Sequence, residues 1–286
     1  MYRSLTDQII TKILWLLSII ATSIIALILF FLATESIPFL LKNGNTLFQP
    51  GGHWSPSENS YNLIPMLVGS LLIMLGGVAI AAPLGIISAI FCKFYATGFI
   101  GTIYKRIIEV LAGIPSVVFG LWGLVELVPA LRHIQPPGAS LLAGILVIAL
   151  MILPTMTLII DAGFSEIPKS HLNGAMALGL SRFTTVRKII LPASTTTIIT
   201  GIILSGGRAI GETMAVVMVS GNIVQIPRSA FEPIRTLTAN IALEMAYAME
   251  DHRSALFVSG FILLLSVSLL LLLSEMAKKG WVRHAA

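Results

Sequence analysis

The chain has 286 residues, 56% of them hydrophobic and 11% charged, with a mean hydropathy of +0.93. A soluble domain carries about 25% charged residues, so the composition excludes one and points to an integral membrane protein, with one domain as the default. The net charge of +5 follows membrane topology and is no nucleic-acid signal, and the single Cys92 excludes an intrachain disulfide framework.

About 20 apolar residues cross a bilayer. Six segments reach that length, roughly 13–33, 63–91, 107–130, 139–163, 194–222 and 255–274, and define an all-α membrane protein. The first exceeds the ~7–15 residues of a signal-peptide core and is expected to remain as a span. Residues 34–62, rich in Gly, Pro, Asn and Ser, read as a long outer loop. Its Trp54 and Tyr61 either sit at headgroup level or have no role. Residues 1–62 thus form an N-terminal span with its loop, and 63–286 a transmembrane domain.

The second segment starts near Pro65 and contains Pro83, which frees a carbonyl and kinks a helix. Gly77, Ala81 and Gly85 repeat every fourth residue, a small-residue stripe for close helix contact. The third contains Leu111-Ala112-Gly113-Ile114-Pro115-Ser116, a second expected kink. Such residues serve as packing devices or as hinges. Glu109, Glu126 and Asp161 fall near interfaces, where charge is cheap, and receive no role.

Between the fourth and fifth segments, residues 164–193 are polar, basic and rich in small side chains. Pro168 suits a first helical turn and Gly179 a C-terminal cap, with Leu172, Ala175, Met176 and Gly179 on one face. Ser181 can cap a second helix carrying Phe183, Val186 and Ile190 on one face. This is a helix-turn-helix elbow that either docks into a partner's groove or merely connects two spans.

The fifth segment contains Gly206-Gly207-Arg208-Ala209-Ile210-Gly211-Glu212-Thr213. A charge at mid-bilayer costs roughly 2.5–3.5 kcal/mol on insertion scales. As a continuous helix, the segment puts Arg208 and Glu212 on one face, in the less favourable order for an isolated pair. Gly207, Gly211 and Ala215 form one small stripe, and Gly201, Ser205 and Ala209 another. Two readings stand. Arg208 lines an aqueous path for an oxyanion, held by Glu212 when the path is empty, or the two form a buried pair that fixes packing.

After Asn222, Ile234 to Met249 reads as a helix, with Ile234, Leu237, Ile241, Met245 and Ala248 at helical spacing and Asp251-His252-Arg253 ending it. It is expected on the outer surface, either touching an external partner or packing as a lid. Six spans put both ends on one side. Of 18 Lys and Arg, 12 fall on the elbow face, among them Arg3, Lys12, Lys93, Lys105, Arg106, Arg187 and Arg283. The positive-inside rule makes that face cytoplasmic. The chain has no Gly-x-x-x-x-Gly-Lys-Ser/Thr loop, no His-Glu-x-x-His, no Gly-x-Ser-x-Gly, and no His inside a span, so neither ATP hydrolysis nor an intramembrane enzyme is expected of it. A channel or secondary transporter remains a rival class, separated by whether an ATPase co-purifies.

The spacing Ala175, Gly179, Ile189, Leu191-Pro192 resembles the EAA loop of ABC-type importer permeases, the coupling helix that sits in a cleft of the cytoplasmic ATPase. The resemblance implies coupling through Asn173, Gly174, Ala175, Ala177, Gly179, Arg182, Leu191 and Pro192. Asn173-Gly174-Ala175 stands where that family often has Glu-Ala-Ala, so no Glu salt bridge to the ATPase carries over. The phrases Leu111 to Gly120, Gly207 to Val216 and Arg235 to Glu244 look like those of PstC-type permease subunits of phosphate importers. The likeness runs from about Asn62 onward. It implies a six-helix, type I ABC importer fold (MetI-like) in a bacterial inner membrane. It also implies a PstA-like second permease, two PstB-like ATPases and a PstS-like external phosphate-binding protein. ATP and Mg would be bound by the ATPase, with no cofactor in this chain, and Arg208, Glu212 and Thr213 would belong to the phosphate route. A permease for sulfate, molybdate or another small solute is the nearest alternative.

Overall fold

The computed structural model describes residues 5–96 and 98–282, most of them helical. Among these, five stretches are long and apolar enough to cross a membrane: Ile9–Leu47, Ile64–Tyr95, Ser116–Ile134, Leu141–Ser165 and Glu250–Leu273. A sixth crossing is a pair, Arg182–Ala193 and Thr195–Ile210, bent by 68°. Arg3 and Arg283, counted above toward the elbow face, lie outside the described residues.

Helix α1 is Leu5–Leu47, and α2 is Ile64–Ile90, prolonged by a π-helical turn at Phe91–Tyr95. Helix α3 (Gly98–Gly113) is followed by α4 (Ser116–Trp122), a π turn at Gly123–Leu127 and α5 (Val128–Ile134). Helix α6 is Leu141–Ser165. The elbow comprises α7 (Lys169–Ala177), α8 (Arg182–Thr185), a π turn at Val186–Ile190 and α9 (Leu191–Ala193). Helices α10 (Thr195–Ile210), α11 (Met214–Val219), α12 (Leu237–Glu244) and α13 (Glu250–Val282) complete the chain.

The centre is the contact of α2 with α6. Hydrocarbon offers helices no hydrophobic reason to associate, so close packing must supply it. A Cβ on Gly77 would lie 2.8 Å from Ile148 Cγ2, and one on Gly144 2.8 Å from Ile73 Cδ1. Gly85 meets Met156, and Ala81 is fully buried, so the expected stripe faces α6. Ile73, Met74, Met151, Ile152 and Ile160 fill the same core. Helix α10 leans on it through Gly201, Ser205 and Ala209, all buried, with Gly201 against Ile159 and Ile160. Helices α4 and α11 approach as closely: a Cβ on Gly120 would stand 2.7 Å from the Ala215 Cα.

Four features differ from the sequence reading. Residues 34–47 are not loop, because α1 runs on to Leu47 despite Pro38 and the Asn43-Gly44-Asn45 stretch. Phe39 and Leu47 are buried there, and Leu63 N donates to Leu47 O at 2.9 Å, so tertiary contact overrides weak helix propensity. Beyond it, β1 (Trp54–Ser55) and β2 (Ser60–Tyr61) form a small antiparallel hairpin. The third span is not 107–130: Pro115 allows no helix through Ile114, so α3 ends at Gly113 and the crossing begins at Ser116. The fifth is not continuous over 194–222, because the helix stops at Ile210. The helix expected over 234–249 is only α12, capped by Thr236, whose Oγ1 accepts from Ala239 N at 3.2 Å. Asp251-His252-Arg253 opens α13 instead of closing the previous helix.

Trp54 and Tyr61 are buried, edge to face at 5.6 Å. Burial, and then the charge of Asp251, holds the Tyr61 phenol above its ordinary pKa. The hairpin is locked to α12 and α13 by the buried Glu244 carboxylate. Arg235 Nη1 donates to its Oε1 at 2.5 Å, Trp54 Nε1 donates to Oε2 at 2.9 Å, and His252 Nε2 lies 2.8 Å from Oε2. Arg235 also reaches Asn240 Oδ1 and the Asn222 carbonyl. Helix α12 is therefore an inward-packed clamp, with Leu237, Ala239 and Asn240 buried.

Two expectations test this packing. Glu244→Gln should lower the thermal unfolding midpoint in detergent by an amount worth about 2 kcal/mol, since it removes the charged partner of the half-buried Arg235 guanidinium. Glu58→Gln, whose exposed partner is His53, should not move it. Gly120→Ala should destabilise by ~1–3 kcal/mol through forced separation of α4 and α11. Gly207→Ala, with open space beside it, should not destabilise the isolated chain.

Candidate functional site: a mid-span arginine and the elbow below it

Arg208 stands on the last turn of α10. Its height follows from its neighbours: a Cβ on Gly206, two residues earlier, would lie 3.8 Å from Val78 Cγ2, near the middle of the 64–95 crossing. Its Nη1 donates to Thr155 Oγ1 at 2.9 Å, near the middle of α6. Arg208 is exposed, and the face of α10 that carries it is uncovered by the rest of the chain. Leu204, one turn away, is 45% exposed, and a Cβ on Gly207 would meet nothing within 4 Å. A guanidinium at this depth cannot face acyl chains cheaply, so the open face needs water or another polypeptide.

The expected Arg208–Glu212 contact does not form. None of the ion pairs among the described residues joins them. Gly211, Glu212 and Thr213 lie between α10 and α11, so the two charges do not share a helix face. The small stripe through Gly207, Gly211 and Ala215 is interrupted for the same reason. Glu212 Oε1 instead accepts from Ala215 N at 3.2 Å, capping α11, and the Glu212 carbonyl accepts from Thr238 Oγ1 at 2.9 Å. A carboxylate that caps one helix competes with continuation of the previous one, which explains the break. Thr213 sits at the N-cap position of α11, half-buried, its Oγ1 3.4 Å from the Gly211 carbonyl. The break thus brings Glu212 and Thr213 together with α12, and Arg208 with α6.

The elbow has the two-helix form read from the sequence. Gly179 adopts φ +67° and closes α7 through two bonds, its own N–H to the Met176 carbonyl and Leu180 N–H to the Ala175 carbonyl, both 3.0 Å. That paired pattern favours glycine at the left-handed position. Ser181 Oγ accepts from Thr184 N at 3.2 Å and starts α8. Ala175, Val186 and Ile190 are buried. Asn173, Gly174, Ala177, Gly179, Arg182 and Pro192 are exposed, and Leu191 is half-buried. Met176, Leu178 and Phe183 are 68%, 79% and 64% exposed, an apolar patch on an otherwise polar segment. A groove of about 300 Å³ between Lys93, Phe94, Leu172, Met176 and Arg182 separates the elbow from the π-helical end of the second crossing.

Sequence reasoning missed three residues of this region. Asp161 is buried and receives Lys105 Nζ at 2.7 Å, strapping α3 to α6. Lys93 Nζ donates to Ser165 Oγ at 2.9 Å at the mouth of the elbow. Thr155 carried little signal, because a threonine beside Pro154 and two residues from Thr157 in an apolar run looks like any other span residue. Its polarity at mid-span was the only available cue.

Residues 81–279, well over half of the chain, match the family described as binding-protein-dependent transport system inner membrane component. A Bacillus subtilis protein named probable ABC transporter permease protein YqgH is 38% identical, with 85% of this chain and 81% of the relative covered. The phosphate transport system permease protein PstC of Xylella fastidiosa is 31% identical, with 92% of this chain and 91% of the relative covered. A chain of the methionine ABC transporter MetNI superposes with a TM-score of 0.58 at 15% identity, covering 77% of this chain and 94% of that one, which bears on the fold alone. The helical architecture, the family match and the extent of likeness to PstC agree: the chain belongs to the binding-protein-dependent inner-membrane transport components, as an ABC-type permease subunit of the PstC kind with the type I, MetI-like fold.

Proposed function

We propose that this chain is one of two membrane subunits of an ATP-driven phosphate importer, forming half of the translocation path. The observation that carries the reading is Arg208, a guanidinium at mid-span on a face that the chain itself leaves open. A planar fork of donors matches a phosphate oxygen pair. Arg208 lines the path, with Glu212 and Thr213 at the helix break one turn beyond. Glu212, committed to capping α11, repels an anion that arrives off the arginine. A PstA-like subunit covers the open face, and a PstS-like protein delivers phosphate from outside. The curated PstC relatives, named as phosphate transport permeases, support this substrate.

Residues 164–193 couple the path to two PstB-like ATPases, which bind ATP and Mg. The exposed Met176, Leu178 and Phe183 offer an apolar patch for that contact, and Asn173 and Gly174 supply small polar neighbours without a Glu. ATP binding draws the ATPases together, the elbow moves, and α6 and α10 open the path outward. The basic elbow face is cytoplasmic, with both termini on that side of a bacterial inner membrane. Residues 1–62 are an added span with its outer segment, and 63–286 the transport domain proper.

Arg208→Gln should cut uptake of labelled inorganic phosphate by more than about tenfold while the subunits still co-purify. Uptake at the unsubstituted rate rejects the reading. Sulfate or molybdate supporting faster ATPase stimulation than phosphate in the same complex would reassign the substrate and keep the permease. Gly179→Val, forced into a left-handed conformation, should reduce co-purifying ATPase by about fivefold or more through loss of the elbow turn. Full ATPase recovery with that variant removes the elbow from the coupling contact.

A further inference from the structure

Five hydroxyls inside the spans of this chain are satisfied alike, whereas those of Ser36 and Ser205 have no partner among the described residues. Ser70, Thr157, Thr200, Ser259 and Ser266 each donate to the carbonyl four residues back on their own helix. That bond satisfies the proton where the helix offers its nearest acceptor. Thr155 departs from the pattern. Its Oγ1 accepts from Arg208 at 2.9 Å, and its own proton has no acceptor among the described residues. Thr155 is half-buried on the side where the Arg208 face of α10 is uncovered. Pro154 beside it removes a backbone donor from the same turn, so this part of α6 carries polar groups that the helix does not consume.

A hydroxyl holds two acceptor lone pairs and one donor. Here one lone pair holds the guanidinium, and the donor stays uncommitted. We propose that Thr155 is a second donor of the anion station: Oγ1 positions Arg208, and the hydroxyl proton binds an oxygen of the same tetrahedral oxyanion. The inference rests on the reading of Arg208 as a path residue and extends the site from α10 to α6. It also gives the station two anchors on two separate spans, so that the distance between α6 and α10 sets whether both donors reach one anion.

The test uses the whole complex, with its ATPase and binding protein, in proteoliposomes. Uptake of labelled inorganic phosphate is measured per assembled complex for Thr155→Ser, Thr155→Val, Thr155→Ala and Arg208→Gln. Val and Ala both lack the hydroxyl but differ in shape, so either serves if the other does not assemble. Both should transport about tenfold more slowly, the loss of one hydrogen bond to a charged group, while Ser stays within about twofold. Adding Thr155→Val to Arg208→Gln should lower uptake no further. Val and Ala transporting at the unsubstituted rate while Arg208→Gln is inactive overturns the role of Thr155 and leaves Arg208 in the path. Ser failing alongside Val overturns it too, by assigning the effect to shape. Arg208→Gln transporting normally removes both residues together.

Discussion

Everything in this molecule hangs on the close approach of two helix backbones, α2 and α6. Gly77 and Gly144 lie against Ile148 and Ile73 at distances where an added carbon would force the isoleucine side chains to shift. In lipid, such interlocking is the main source of helix affinity, because apolar side chains gain little by leaving hydrocarbon for one another. The α2–α6 pair fixes α6, and α6 then positions what matters chemically. Thr155 stands at its middle, Asp161 near its end, and α10 rests along it through Gly201, Ser205 and Ala209.

The same arrangement joins distant parts of the chain. The elbow is the direct connection between α6 and α10, so its two ends are the two helices that hold Thr155 and Arg208. Helix α10 spans 16 residues, about 24 Å at ~1.5 Å per residue, from the 68° bend at the elbow to the break at Gly211. A single helix therefore joins the elbow to the arginine, with no intermediate domain. The Lys105–Asp161 strap holds the neighbouring helix α3 to α6.

The sequence revealed what depends on period and composition. The crossings, the Gly77-Ala81-Gly85 stripe, the caps at Gly179 and Ser181 and the mid-span depth of Arg208 all follow from local residue chemistry. What stayed hidden depends on partners far along the chain. The helix over 34–47 survives its Asn and Gly residues because Leu47 and Phe39 are buried against the hairpin. The break at Gly211 appears only when Glu212 is seen to cap α11, since an acidic residue four places from an arginine reads equally well as its helical mate. Arg235 and Glu244 were visible as charges, but their burial with Trp54 and His252 required four chain segments to meet.

The length of α1 has its own outcome. Its candidate crossing, Ile9–Leu47, covers 39 residues, Lys12, Glu35 and Lys42 among them, about 58 Å at ~1.5 Å per residue, against a hydrocarbon thickness of ~30 Å. Such a rod cannot be swallowed by the bilayer at any ordinary tilt. Clamped to the hairpin at one extremity and bare along most of the rest, it acts as a mast. A helix longer than the hydrocarbon is thick must project from it, and the hairpin rides on the end at Leu47.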